Sequence, residues 1–116
     1  MKVQTNLIID LTMEFSLNAI VKVKQVKAIG EYELSRQFFK SATSVGANVR
    51  EAQHAESRPD FIHKMKLAAK EAEESLYWIE IMKRGFDVPG LDELEGQAIV
   101  IQKVLSKIIG TTRKQL

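Results

Sequence analysis

Apolar residues recur every three or four positions along four stretches of the chain, which is the period of an amphipathic α-helix. The stretches cover about residues 6–28, 32–55, 58–84 and 91–112. The first one ends at the Ile29-Gly30 step, where the apolar period stops. No stretch shows the alternation that is typical of a half-buried strand. The pattern therefore predicts an all-α protein of four helices.

Short polar segments separate the four predicted helices. Ser57 begins a Ser-Arg-Pro-Asp sequence, in which the serine side chain can cap the third helix and the proline suits its first turn. Gly85 follows the last apolar residues of that helix and is predicted to be its C-terminal cap. Because short connections place consecutive helices antiparallel, we expect an up-down-up-down four-helix bundle that forms one domain over residues 1–116.

The second helix carries a run of small residues, 41–47, that includes Gly46. A glycine in the middle of a helix costs about 1 kcal/mol of intrinsic helix stability relative to alanine. Close approach of a neighbouring helix would compensate for this cost. We interpret Gly46 as a packing residue, since no strand and no phosphate-loop spacing surround it.

The third helix is apolar on two sides. Its predicted core face consists of residues at helical spacing, namely Phe61, Met65, Ala68, Ala69, Ala72, Leu76 and Ile79. Leu67, Trp78 and Ile81 lie roughly opposite, where a monomeric bundle would place charged residues. We expect this second side to contact another copy of the chain.

Glu74 lies within this second side at helical spacing. A carboxylate that becomes buried in an interface needs a cation, and Arg36 or Arg50 of the next subunit is the candidate. The predicted interface residues are Leu67, Glu74, Trp78 and Ile81.

The chain is nearly neutral, but its charge is unevenly distributed. It contains 17 basic and 15 acidic residues, for a net charge of +2. Residues 1–50 carry a net charge of +3, residues 51–95 carry −5, and residues 96–116 carry +4. Such asymmetry is typical either of a surface that faces nucleic acid or of helices with complementary charge packed together.

Basic residues form two rows away from the apolar stripes. The row on the second helix consists of Arg36, Lys40 and Arg50. The row on the fourth helix consists of Lys103, Lys107 and Lys114. Such rows can bind phosphates, although the sequence shows no base-edge or stacking side chain to accompany them. Exposed lysines also serve solvation, so nucleic-acid binding and simple solubility are both open.

The composition limits the cellular compartments and the kinds of site that we expect for the protein. The chain has no cysteine, which excludes disulfides and thiolate metal sites and suits a reducing cytosol. Its apolar runs, such as 7–9 and 99–101, are too short to span a bilayer, and the N-terminus lacks the layout of a signal peptide. We expect a soluble cytoplasmic protein with no membrane partner.

Two acid–histidine pairs resemble part of a di-iron carboxylate site. Glu51 and His54, and likewise Asp60 and His63, are three residues apart, as in the Glu-x-x-His element of such bundles. Both pairs flank one turn, whereas a di-iron site needs such motifs on two helices at one depth, with two further inward glutamates. No serine lies in a nucleophile elbow. The sequence favours a protein with no catalytic residue, metal or cofactor, and a di-metal carboxylate enzyme is an alternative.

Several short sequence words occur in an order that is shared with one bacterial family. They are SRQ at 35–37, SATSVGANV at 41–49, EA at 51–52, DFIHK at 60–64, AKEAEE at 69–74 and YW at 77–78. In this order they resemble the four-helix-bundle proteins of the 23S ribosomal RNA intervening-sequence family. The resemblance implies a homopentamer of antiparallel four-helix bundles. Relatives include the accessory protein of diversity-generating retroelements, which works with a reverse transcriptase and nucleic acid.

Two functions follow as expectations. In the first, a non-enzymatic homo-oligomer binds RNA or a nucleic-acid-processing protein through its basic rows. In the second, the chain is a protein-interaction module or a selfish-element passenger protein that binds no nucleic acid, and its charges serve solubility and assembly.

Overall fold

The computed structural model describes residues 2–115, with side chains from residue 6 onward. This part of the chain contains four α-helices and no strand, which confirms the prediction from the apolar period. The helices are α1 (Lys2–Ala28), α2 (Tyr32–Ala52), α3 (Arg58–Gly85) and α4 (Asp92–Lys114). They form a rod of 48 × 21 × 19 Å. None of the described helices combines the length and the apolar content needed to cross a membrane.

The four helices form a closed square in cross-section. α1 packs on α2 and α4, and α3 packs on the same two helices, while the diagonal pairs do not contact each other in the described chain. Neighbouring helices run antiparallel. Ser41 of α2 contacts Ser75 of α3, for example, whereas the later residue Glu51 contacts the earlier residue Lys64. The up-down-up-down four-helix bundle is therefore confirmed.

The turn between α2 and α3 contains the predicted N-cap. The hydroxyl of Ser57 accepts a hydrogen bond from the backbone N–H of Asp60 at 3.1 Å. The carboxylate of Asp60 in turn accepts from the backbone N–H of Glu56 at 3.1 Å. Just upstream, the N–H groups of residues 53–55 donate to carbonyls three residues back, so α2 ends at Ala52 rather than Ala55, and a tighter turn follows.

The C-terminal cap predicted at Gly85 is wrong. Gly85 is the last residue of the α3 helix, and the left-handed residue is Asp87, with φ of 53°. Aspartate visits this conformation more readily than most non-glycine residues because its short side chain can hydrogen-bond locally. The N–H of Val88 donates to the carbonyl of Met82 at 3.0 Å, and Val88 is buried. The end of α3 is therefore set by the anchoring of Val88 on the core.

The buried face of α3 differs from the predicted core face. Its buried residues are Ile62, Met65, Ala68, Ala72, Ser75, Ile79 and Met82. Phe61, Ala69 and Leu76 are only partly buried. Ser75 can be buried because its hydroxyl donates to the hydroxyl of Ser41 at 3.0 Å. A search for apolar residues alone misses this position.

The second apolar side of α3 begins at the edge of the core. The sequence pattern placed Trp78 and Ile81 roughly opposite the core face. In the structure they pack partly against the core cluster, so they lie beside the core face instead. The physical reason is the shift of the buried face toward Ser75 and Met82, which brings these two side chains closer to the interior.

Gly46 is a packing residue, as predicted. A methyl group at this position would lie 3.3 Å from Oγ1 of Thr12 on α1, closer than ordinary van der Waals contact. The hydroxyl of Thr12 is buried and donates to the carbonyl of Ile8 at 2.8 Å. Glycine therefore lets α1 and α2 approach closely at this level.

A buried lysine, which the sequence analysis did not single out, joins α1 to the α3–α4 loop. The ammonium of Lys22 donates to the carbonyl of Pro89 at 2.8 Å and to Oε1 of Gln25 at 2.7 Å. The next loop residue, Gly90, has φ of 72°, and a methyl group on it would lie 3.2 Å from the ammonium. Lys22 thus holds a loop whose backbone carbonyl it satisfies.

Candidate functional site

The predicted basic row of α2 lies on the side of the helix that faces away from the bundle. Arg36, Lys40 and Arg50 are all exposed. Arg36 donates to Glu33 at 2.7 Å, and this hydrogen bond lowers the pKa of Glu33 and raises the pKa of Arg36. Within residues 6–115, Lys40 and Arg50 have no carboxylate partner within 4.0 Å. The row therefore retains at least two cations available to a ligand.

Two exposed aromatic side chains accompany this row. Tyr32 is 65% exposed and Phe39 is 46% exposed. They lie four residues before and three residues after Arg36, which places all three on one side of the helix. The sequence contained a signal for Phe39, because it falls outside the apolar stripe that includes Phe38. No aromatic residue beside the basic row was named in the sequence analysis.

The predicted basic row of α4 is also exposed, but the structure does not bring the two rows together. Lys103, Lys107 and Lys114 point away from the core, and none of them forms an ion pair in the described part of the chain. α2 and α4 occupy diagonal corners of a bundle whose cross-section is 21 × 19 Å. Their outward sides therefore face opposite directions, and a single subunit presents two separate basic surfaces.

The four interface residues predicted on α3 are half-buried in the subunit. They are Leu67, Glu74, Trp78 and Ile81. The indole N–H of Trp78 donates to the carboxylate of Glu74 at 3.1 Å, so Glu74 already has a partner on its own helix. Beside them, Tyr77 is 57% exposed, with its ring edge-on to that of Trp78 at a centroid distance of 5.2 Å. This side of α3 thus combines one exposed ring with three half-buried apolar side chains.

Glu71 connects this side of α3 to the basic row of α2. Partial burial raises its pKa, and the neighbouring carboxylate of Glu74 adds to the rise. The ammonium groups of Lys70 and Lys40 act in the opposite direction. The ammonium of Lys40 therefore interacts electrostatically with Glu71 of α3 on one side and faces solvent on the other.

The outward side of α1 carries several exposed apolar residues, which the sequence analysis missed. Its aliphatic side chains, each between 45% and 57% exposed, are Leu7, Met13, Leu17 and Val21. Val100 of α4 is similarly exposed and borders a groove between α4 and α1 that is lined by Leu11 and Gly96. A surface helix of a monomeric bundle carries polar residues outward. The signal was present in the sequence, because apolar residues fill the gaps between the core positions of the first helix.

Several side chains with catalytic or metal-binding potential are engaged in structural contacts. Glu51 accepts from Lys64 at 3.2 Å, and Asp60 caps the turn before α3. The hydroxyls of Ser41 and Ser75 bond to each other in the core. Among the described residues, no group of three or more His, Cys, Asp or Glu is placed to hold a metal ion. The acid–histidine pairs of the sequence are therefore not assembled into a carboxylate cluster in this part of the chain.

The chemistry of the four outward sides alternates around the bundle. α1 and α3 occupy one diagonal and carry the two apolar sides. The side on α1 consists of the exposed residues Leu7, Met13, Leu17 and Val21, and the side on α3 consists of the exposed Tyr77 and the half-buried Leu67, Trp78 and Ile81. α2 and α4 occupy the other diagonal and expose the two basic rows described above, accompanied by Tyr32 and Phe39 on α2 and by Ile99 and Val100 on α4.

Comparison with known proteins extends these observations. A family model described as 23S rRNA-intervening sequence protein matches residues 4–107. The crystal structure of a protein with unknown function from the S23 ribosomal protein family of Bacteroides thetaiotaomicron is similar to the chain, with a TM-score of 0.88 and 35% sequence identity. The similarity covers 92% of this chain and 98% of that chain. No curated protein matches the chain.

Proposed function

Because the chain belongs to the 23S rRNA-intervening sequence protein family, we propose that it acts without catalysis, as a homo-oligomeric ring of helical bundles that binds RNA through its basic sides. A ring of five subunits is what the resemblance to this family implies. The observation that carries the proposal is the alternation of apolar and basic sides around one bundle.

The apolar sides supply the contact between subunits. Fully burying one exposed Leu, Val or Met side chain is worth about 1.5–3 kcal/mol. The outward side of α1 offers four such side chains that are each about half exposed, so each can contribute roughly half of that value. The sides on α1 and α3 differ in composition and lie at diagonal corners. Contact between two different patches is heterologous, and it gives a closed ring when the rotation between neighbours closes. The α1 side of one copy therefore packs on the α3 side of the next.

The basic rows lie on the other two helices in such a ring, although Arg50 borders a groove that it shares with Met13 of the α1 side. Since α2 and α4 occupy the other diagonal, one basic side faces the inside of the ring and the other faces the outside. Repetition around the ring multiplies a modest row of cations into a strong field. Phosphate binding draws most of its affinity from this kind of charge.

The assembly is tested by placing a charge on each apolar side. We expect Leu17→Glu and Tyr77→Glu each to give folded, helical monomers, because an unpaired carboxylate in a desolvated interface is costly. Both residues are more than half exposed in the subunit, so the bundle itself tolerates the change. Ile29→Glu, at an exposed aliphatic in the α1–α2 turn, is the matched control and keeps the assembly.

Light scattering coupled to size exclusion, with circular dichroism as a check of folding, reads out the result. A wild-type chain that is monomeric at micromolar concentration contradicts the assembly. So does an oligomer that survives both charged substitutions.

RNA binding is tested by its dependence on salt. We expect the affinity for a labelled RNA to fall with rising KCl, and Lys40→Gln or Lys107→Gln to lower the log–log slope by about 0.7 for each lost contact with a single strand. Lys66→Gln on α3 is the control and leaves the slope unchanged. Failure of the wild-type protein to bind any RNA at low salt would favour a protein-interaction module instead.

A further inference from the structure

We infer that the outward side of α2 is a binding site for single-stranded nucleic acid, in which Tyr32 and Phe39 stack on bases while Arg36, Lys40 and Arg50 hold phosphates. This inference rests on the proposed RNA binding and deepens it, because it names the form of nucleic acid and the side chains that distinguish it.

The residues of this site lie within an arc of about 100° on the outward side of the helix. They are Tyr32, Arg36, Phe39, Lys40, Thr43, Ala47 and Arg50, and none of them is acidic. With a rise of 1.5 Å per residue, the two aromatic residues are about 10 Å apart along the helix axis, and Arg50 is about 16 Å beyond Phe39. Along the helix axis, aromatic and cationic side chains therefore alternate over a length that could contact several nucleotides.

Both rings are exposed, and neither forms an aromatic pair within residues 6–115. An exposed aromatic face stacks on any base, and such stacking makes a large contribution to single-strand binding that tolerates sequence variation. Arg36 lies between the two rings, where its planar group can reach a phosphate or the face of a base. Its ion pair with Glu33 is fully at the surface, and such pairs contribute little, so a phosphate can replace the carboxylate.

The same arrangement argues against a duplex and against a second protein chain as the ligand. Bases in a duplex are already stacked on each other, so side-chain rings cannot reach their faces. A protein partner that covered this arc would need carboxylates for Lys40 and Arg50, which have no carboxylate within 4.0 Å among residues 6–115. A single strand complements both features, because its phosphates can pair with the cations and its bases can stack on the aromatic side chains.

Fluorescence anisotropy with a labelled 12-nucleotide oligoadenylate tests the site. We expect Tyr32→Ala and Phe39→Ala each to raise the Kd about tenfold without changing the salt slope, since a lost stack removes no counterion release. Lys40→Gln lowers the slope instead. Phe39→Trp retains binding, and Phe86→Ala, at an exposed aromatic at the end of α3, is the matched control with no effect. Binding of a 12-base-pair RNA duplex is insensitive to the two alanine variants.

Three results would overturn the inference, and they are distinguishable. If the oligonucleotide binds but neither alanine variant weakens it, the stacking site is wrong and the proposed RNA binding stands. If the wild-type protein binds no oligonucleotide at low salt, both fail together. If light scattering shows that Tyr32→Ala or Phe39→Ala changes the number of subunits, the rings belong to a subunit contact.

Discussion

The helices on the two diagonals of the bundle are alike inside and different outside. All four bury an apolar face in the common core. Outward, however, α1 exposes four apolar side chains and α3 exposes the ring of Tyr77, whereas α2 and α4 expose rows of cations beside the apolar residues Tyr32, Phe39, Ile99 and Val100. The inward faces set the fold, because any four helices with this apolar period can pack as a bundle. The outward faces are free of that requirement, so their composition carries the information about partners.

The sharpest test of this difference uses two adjacent residues of α2. Phe38 is fully buried, and Phe39 is exposed. We expect Phe38→Ala to lower the free energy of unfolding by about 3–5 kcal/mol, because it removes a large core side chain and leaves a cavity. Phe39→Ala changes the same quantity by less than about 0.5 kcal/mol. Urea denaturation followed by circular dichroism measures both, and equal losses would contradict the division between inward and outward faces.

A second pair of substitutions compares glycines on the two kinds of face. Gly46→Val forces a side chain against Thr12, and we expect a loss of about 1–3 kcal/mol from overpacking. A methyl group on Gly96 of α4 would meet no atom within 4 Å, so Gly96→Ala gains up to about 1 kcal/mol from helix propensity. Opposite shifts of the thermal midpoint check this prediction. A stabilising Gly46→Val would mean that α1 and α2 are not in close contact there.

Lys22→Met tests whether a buried position of α1 requires an apolar side chain or also accepts a polar side chain whose hydrogen bonds are satisfied. Lys22→Met removes the donor to the carbonyl of Pro89 and leaves that loop group without its partner. We expect a loss of about 1–2 kcal/mol in the free energy of unfolding, because a part-buried hydrogen bond from a charged donor is lost. Lys24→Met, two residues along on the exposed side, is the control and stays near zero. A gain in stability on Lys22→Met would show that burying the ammonium costs more than the loop contact returns.

The smallest expected effect concerns Glu71 and Glu33, whose pKa values are shifted in opposite directions. The pKa of Glu71 is raised, so its ionised form is disfavoured in the folded state and stability is lost as pH rises through its folded pKa. Glu71→Gln should therefore raise the urea midpoint slightly at pH 7, and the gain should disappear in acid. The pKa of Glu33 is lowered, so its ionised form stabilises the folded state at pH 7, and this stabilisation is lost as pH falls through the folded pKa. Glu33→Gln should therefore lower the urea midpoint slightly at pH 7, and the difference should disappear in acid. Shifts of the same sign would contradict this assignment.

Much of the fold follows from the sequence, because helical periodicity and capping are local properties. The four helices, the N-cap at Ser57 and the close approach at Gly46 could all be predicted. The cap at Gly85 could not, since the end of α3 depends on where Val88 reaches the core. Ser75 was missed for a similar reason, because its burial depends on a hydroxyl of another helix.

The candidate site was only partly predictable. The exposure of the lysine and arginine rows follows from helical spacing away from the apolar stripe. Tyr32 and Phe39 were assigned no role, because an aromatic residue beside an apolar stripe can be buried or exposed depending on how the neighbouring helix packs. The apolar outward side of α1 was overlooked for the same reason, since attention to the best helical stripe hides residues that lie between its positions.

Mixing two assembly-defective variants tests the central claim most directly. The Leu17→Glu variant keeps an intact α3 side, and the Tyr77→Glu variant keeps an intact α1 side. If neighbouring copies join α1 to α3, each variant alone is monomeric, and an equal mixture forms a one-to-one dimer through the two intact sides, which native mass spectrometry resolves by mass. A mixture that stays monomeric, or a single variant that still forms rings, would contradict the account.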